Sequence, residues 1–72
     1  MNKNLLMSVL KKNGEKQSDL AATLGLSLSR TNAKINETDG AQFYQSEIAT
    51  IKSHYNLTAE EVDAIFFTVR VS

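Results

Sequence analysis

The segment 17–36 restricts the fold more than any other part of the chain. It reads QSDLAATLGLSLSRTNAKIN, and its apolar residues recur at helical spacing on both sides of Gly25. Glycine adopts a positive φ at low cost, so Gly25 predicts a helix end followed by a tight turn. Ser27 can then accept a hydrogen bond from a free backbone N–H and begin a second helix. The segment therefore predicts two short helices, over 17–24 and 28–36.

Apolar spacing predicts three further helices. One runs from about Asn4 to Asn13, a second covers Gln45 to Tyr55, and a third opens at the T-x-x-E capping box that begins at Thr58. The predicted fold class is all-α: a compact five-helix bundle in a single domain, residues 1–72. The inward-facing positions are expected to be Leu6, Val9, Leu10, Asn13, Leu20, Ala21, Leu24, Thr31, Ile35, Ile48, Ile51, Tyr55, Val62, Ile65 and Phe66.

Length and composition argue against several function classes. A chain of 72 residues without cysteine has little room for a deep substrate pocket and no disulfide, which fits a reducing cytoplasm. Its apolar runs are too short to span a bilayer, and no cleavage site follows the amino-terminal stretch. The sequence shows no paired carboxylates, no glycine-rich phosphate loop and no metal-ligand cluster. His54 is predicted to be a surface residue. We therefore expect neither an enzyme nor a cofactor or small-molecule substrate.

Charge is distributed unevenly along the chain. The net charge is zero, but residues 1–36 carry +4 and residues 37–72 carry −4. One interpretation is a solvated surface with chance clustering; the other is a molecule with a basic end and an acidic end. An acidic end repels phosphate and attracts basic protein surface.

Gln17 to Ser27 carry a family resemblance. They match the pattern Q-x-x-L-A-x-x-L-G-[LIV]-S throughout. This stretch resembles the helix-turn-helix of phage CI/Cro-type repressors, the Xre-like family. The following NAKIN, F-x-x-x-E-I and NLT-x-E-E stretches extend the resemblance over nearly the whole chain. It implies a lambda-repressor-like DNA-binding fold, with the motif at 17–36.

A narrower resemblance is to the modulator-of-repression (MOR) proteins of temperate phages. The chain length, the amino-terminal MNKNLLMSVLKKNGE and the weak overall charge carry it. It implies a cytoplasmic protein of the bacterial host cell that acts with or against a CI-type repressor through direct contact.

The family resemblance also implies which residues meet DNA. Arg30 is the residue best able to make a bidentate contact with guanine, whereas Leu28 offers only apolar contact. The alternative is that Arg30 and Lys34 form a solvated face, and that Gln17 is a solvated helix-start residue. The implied recognition-helix positions are Leu28, Ser29, Arg30, Asn32 and Lys34, and the implied phosphate contacts are Gln17 and Ser27.

Two main functions follow. In the first, the chain modulates a lysis/lysogeny switch by contacting a CI-type repressor and binds double-stranded operator DNA only weakly. Its partner-binding residues would be Leu28, Glu47, Glu60 and Asp63. The zero net charge favours this function, because a DNA-binding protein usually carries a positive excess.

In the second, the chain is an autonomous Cro-like repressor that acts as a homodimer. The segment Phe66–Val71 alternates in polarity and could supply the dimer surface. The sequence leaves three conformations open for the end of the chain: a helix end, a short strand, or an extended tail over residues 67–72. An antitoxin role is a third, weaker hypothesis.

Overall fold

The computed structural model describes residues 1–67, and over that range it contains five α-helices and no strand. Residues 68–72, which include most of the predicted tail, lie outside the described range. The predicted all-α class is therefore confirmed for the part of the chain that the structure describes. The helices are α1 (Lys3–Lys12), α2 (Gln17–Leu24), α3 (Leu28–Ile35), α4 (Gln45–His54) and α5 (Ala59–Phe66), with a 3-10 turn (Thr38–Gly40) between α3 and α4.

Local capping fixes where the helices begin. The Asn2 side chain accepts a hydrogen bond from the Leu5 N–H at 3.1 Å and begins α1. Thr58 and Glu61 form the predicted capping box of α5. The Thr58 N–H donates to the Glu61 carboxylate at 2.9 Å, and the Glu61 N–H donates to the Thr58 hydroxyl oxygen at 3.1 Å. Asn56, after the end of α4, has a φ of 56°, a conformation that asparagine tolerates better than most residues.

The core lies where all five helices meet. Its buried members come from every helix, and partly buried side chains such as Leu24 and Leu57 pack around them. Asn13 is the exception among the predicted inward positions, because it is exposed and lies past the end of α1. Its side chain instead donates to the Val9 carbonyl at 2.8 Å. The buried cluster is Leu6, Leu10, Leu20, Ile35, Ile51, Tyr55 and Ile65.

The amino terminus holds distant parts of the bundle together. The Asn2 N–H donates to the Ile65 carbonyl at 2.6 Å, which joins the start of α1 to the end of α5. The Lys3 ammonium donates to Asn36 at 2.6 Å, just after α3. The radius of gyration of 11.4 Å agrees with the ~11 Å expected for a globular chain of this length. Among the described residues, no helix is long and apolar enough to cross a bilayer.

Candidate interaction face around helix α3

The connection between α2 and α3 is a three-residue turn whose hydrogen bonds are all local. Gly25 has φ 69° and ψ 28°, the left-handed conformation predicted for it. Its N–H donates to Ala22 at 3.1 Å, and the Leu26 N–H donates to Ala21 at 2.9 Å, the pair of bonds that closes a Schellman motif. The Ser27 hydroxyl oxygen then accepts from the Arg30 N–H at 3.1 Å and begins α3. These bonds set the direction in which α3 leaves α2.

The first turn of α3 carries the exposed side chains of this helix. Leu28, Ser29 and Arg30 are all exposed, and 46 % of Leu28 is accessible. Thr31, on the opposite side, is fully buried, and its hydroxyl donates to the Ser27 carbonyl at 3.0 Å. A buried threonine is satisfied here because the start of its own helix supplies the acceptor.

Lys34 does not share the exposure of Arg30, although the two residues are four apart on α3. The Lys34 side chain is 3 % exposed, and its ammonium lies 2.8 Å from the Glu47 carboxylate, which is 12 % exposed. Lys34, a predicted DNA contact, and Glu47, a predicted partner contact, therefore bind each other in the folded chain. The reason is tertiary: the Glu47 side chain, in the first turn of α4, reaches Lys34 near the end of α3, and the two charges neutralise each other there.

Tyr44 covers this ion pair. Its ring centroid lies 3.9 Å from the Lys34 nitrogen, a cation–π contact, while 61 % of the residue remains exposed. Between Tyr44 and the first turns of α3 there is an open concavity of about 550 Å³. Of the predicted site residues it brings together four, and the segment 40–44 forms its other wall. Those four are Ser27, Ser29, Arg30 and Lys34.

Two other predicted DNA contacts lie outside the lining of this concavity. The Gln17 side chain is half-buried and donates to the Met7 sulfur at 3.4 Å. Asn32 is half-buried, and its side-chain oxygen is buried without a hydrogen-bond partner among the described residues. Both side chains are therefore partly covered by the rest of the folded chain.

The predicted acidic docking set is divided in the structure. Glu60 and Asp63 are exposed on α5, whereas Glu47 is paired with Lys34. Glu60 and Asp63 follow the capping residue Thr58, so their charges also lie in the first turns of α5. The predicted acidic set therefore splits into two exposed residues on α5 and one residue that is bound to Lys34.

Sequence reasoning missed the contacts of Glu15. The Tyr55 hydroxyl donates to Glu15 at 2.7 Å, and a His54 ring nitrogen lies 3.4 Å from the other carboxylate oxygen. Burial first, and then the Glu15 carboxylate, raise the pKa of Tyr55. Tyr44 was missed as well. The position of Glu47 could have been found from spacing. A glutamate three residues after the residue that precedes a helix often caps that residue's backbone N–H, as Glu47 does for Tyr44.

No protein-family model, curated protein or solved structure matches the chain. The geometry and charge of the face around α3 are therefore the basis for a functional proposal.

Proposed function

We propose that this chain is a phage-type helix-turn-helix regulator that acts by direct contact with a CI-type repressor and has only weak affinity of its own for DNA. The observation that carries the proposal is the buried pair of Lys34 and Glu47. It leaves Arg30 as the one exposed cation of α3, a helix that the structure describes in full.

The helix-turn-helix part of the proposal is supported by α2, α3 and the turn between them. Both helices have eight residues, and a three-residue turn with a left-handed glycine joins them. In proteins with this motif, the second helix lies in the major groove and presents its N-terminal residues to base edges. The corresponding residues here are Leu28, Ser29 and Arg30.

Charge argues for weak DNA binding. Non-specific affinity for DNA comes from lysine and arginine side chains that neutralise phosphates. In α3 only Arg30 is placed to do so, and the side chain of the half-buried Gln17, at the start of α2, donates to the Met7 sulfur. A face with so few exposed cations fits the zero net charge of the chain.

The same face has features of a protein-binding surface. Leu28 and Tyr44 are exposed, and Tyr44 walls a concavity that can accept a partner side chain. Tyrosine and arginine are enriched among the residues that dominate binding energy at interfaces, and Tyr44 and Arg30 both line this concavity. The acidic residues Glu60 and Asp63 would in addition attract the basic DNA-reading surface of a repressor.

A gel-shift experiment at moderate salt tests the proposal. An operator fragment is mixed with this protein alone, with a CI-type repressor alone, and with both. We expect little shift by this protein alone and a changed repressor shift when both are present. A tight shift by this protein alone, with repressor binding untouched, would contradict the proposal and favour an autonomous Cro-like homodimer.

A matched pair of variants locates the contact. Leu28→Ser removes the exposed apolar side chain at the start of α3, and Leu5→Ser removes a similarly exposed leucine, 40 % accessible, from α1. If Leu28 is an interface anchor, its loss weakens repressor binding by roughly tenfold or more. Leu5→Ser is expected to bind as the original chain does, and equal losses in both variants would argue against the α3 face.

A further inference from the structure

We infer that Glu47 masks Lys34: the ion pair withholds from DNA a lysine that would otherwise bind a backbone phosphate. The inference rests on the proposed helix-turn-helix function, because it assumes that α3 faces a nucleic acid when DNA is bound. It assigns to Glu47 control over how tightly this face binds duplex DNA.

One carboxylate oxygen of Glu47 holds Lys34 in its buried position. Glu47 Oε1 accepts from the Tyr44 backbone N–H and from the Lys34 ammonium, each at 2.8 Å. The first bond caps α4 and fixes where the carboxylate lies. The second draws the Lys34 side chain under the Tyr44 ring, 3.9 Å from its centroid. The position of Lys34 is therefore set by α4 and not by α3 itself.

The open concavity offers the Lys34 side chain a second, solvent-exposed position. Lys34 and Arg30 both line it, so a lysine released from Glu47 can extend into water beside Arg30. A buried ammonium without a counter-charge is unstable, and the long lysine stem allows the charge to reach solvent while its methylene groups stay packed. Release would therefore place a second cation beside Arg30 near the exposed start of α3.

Neutralising Glu47 tests the inference. Glu47→Gln keeps an oxygen that can cap Tyr44 but removes the charge that holds Lys34. Binding to a non-specific DNA duplex is measured by fluorescence anisotropy over a range of salt concentrations. One added phosphate contact steepens the slope of log K against log salt by about 0.9, which corresponds to about eightfold tighter binding at 0.1 M salt.

Two controls separate release from a general change in charge. Asp39→Asn makes the same change in net charge in the exposed loop after α3, at a positive φ that asparagine tolerates. The double variant Lys34→Gln/Glu47→Gln removes the released lysine. We expect DNA affinity to rise in Glu47→Gln, to change little in Asp39→Asn, and to return to the original level in the double variant. Equal gains in Glu47→Gln and Asp39→Asn, or a gain that survives loss of Lys34, would overturn the inference.

A second variant covers the case in which Glu47→Gln does not fold. At the start of α2, Asp19 makes the same backbone cap that Glu47 makes at α4, with 2.8 Å between its carboxylate and the Lys16 N–H. Glu47→Asp should therefore keep the cap and draw the carboxylate away from Lys34. Mass spectrometry after mild acetylation should then find Lys34 protected in the original chain and reactive in Glu47→Asp, with Lys11 reactive in both. Equal reactivity of Lys34 in the two proteins would overturn the inference.

These results are independent of the repressor experiment. A chain that fails to bind a CI-type repressor would remove the proposed function, whatever Glu47→Gln does to DNA binding. A chain that binds the repressor but gains no Lys34-dependent affinity for DNA would keep the proposed function and remove only the mask.

Discussion

Tyr55 donates its hydroxyl hydrogen to the carboxylate of Glu15, which lies 40 positions earlier in the chain, at 2.7 Å. The bond joins the turn between α1 and α2 to the end of α4. Tyr55 is buried in the core cluster, and His54 packs edge-on against its ring with 4.7 Å between the ring centroids. Because Glu15 lies just before α2, this contact fixes the start of the α2–α3 unit against the rest of the bundle.

Tyr55→Phe should lower the stability of the fold. The substitution keeps the buried ring and removes one hydrogen bond to a charged acceptor, which is worth roughly 1–2 kcal/mol at a partly exposed carboxylate. Urea denaturation measures the loss. Tyr44→Phe is the matched control, because the Tyr44 ring over Lys34 is kept and the residue is mostly exposed. A similar loss in both variants would show that the Glu15 contact contributes little.

The same pair predicts a loss of stability in alkali. The pKa of Tyr55 is raised above its ordinary value of 10.0, so the folded chain keeps a proton that the unfolded chain loses. The stabilisation is complete below about pH 10 and decreases as the pH rises further, by at most about 1.4 kcal/mol per pH unit. Urea midpoints of the original chain should therefore fall more steeply above about pH 10 than those of Tyr55→Phe. Parallel curves would contradict the raised pKa.

Helix positions and most of the core could be predicted because they depend on residues close together in sequence. Ser27 and Thr58 cap helices through N–H groups three residues later, and Gly25 ends α2 through bonds within six residues. Periodicity likewise placed Leu20 and Ile51 in the core. Each of these features is decided by one helical turn and its neighbours, so the sequence contains the information.

The contacts that shape the candidate interaction face could not be predicted in this way. Arg30 and Lys34 are four apart, and helix geometry alone places them on one side of α3. Lys34 is nevertheless buried, because the Glu47 carboxylate, 13 positions later, is brought over the end of α3. The bond from Tyr55 to Glu15 is of the same kind. Both depend on how distant segments of the chain pack together, which local spacing does not specify.

Gly25→Ala should destabilise the chain through backbone strain alone. A Cβ at this position would have no described atom within 4 Å, so no steric clash arises. The φ of 69° remains unfavourable for alanine by about 1 kcal/mol. Gly25→Asn is expected to cost less, because asparagine tolerates the left-handed conformation better. Thermal unfolding of the two variants checks this order, and an equal loss in both would point to a cause other than φ.

Charge on α5 should affect how fast the proposed repressor partner associates. Glu60→Gln and Asp63→Asn each remove one exposed negative charge, and each should slow association at low salt. The difference from the original chain should shrink as salt screens the charges. Ser53→Lys makes the same net change from the exposed end of α4 and serves as the control. Stopped-flow association rates would contradict acidic docking on α5 if all three variants behaved alike.

Removing either charge of the buried Lys34–Glu47 ion pair should lower the free energy of unfolding, but by unequal amounts. Lys34→Met leaves the Glu47 carboxylate without its counter-charge while the Tyr44 cap still holds it in place, and the expected loss is about 3 kcal/mol. Glu47→Gln should cost less, because Lys34 can extend through the concavity into water.

The double variant Lys34→Met/Glu47→Gln should recover part of the loss in Lys34→Met, and urea denaturation of the four proteins gives the coupling energy directly. Lys52→Met, at an exposed position on α4, is the control and should change stability little. Equal losses in Lys34→Met and Glu47→Gln would mean that neither charge can escape to water. The lysine would then be a fixed part of the core, and the mask over a phosphate-binding group would not exist.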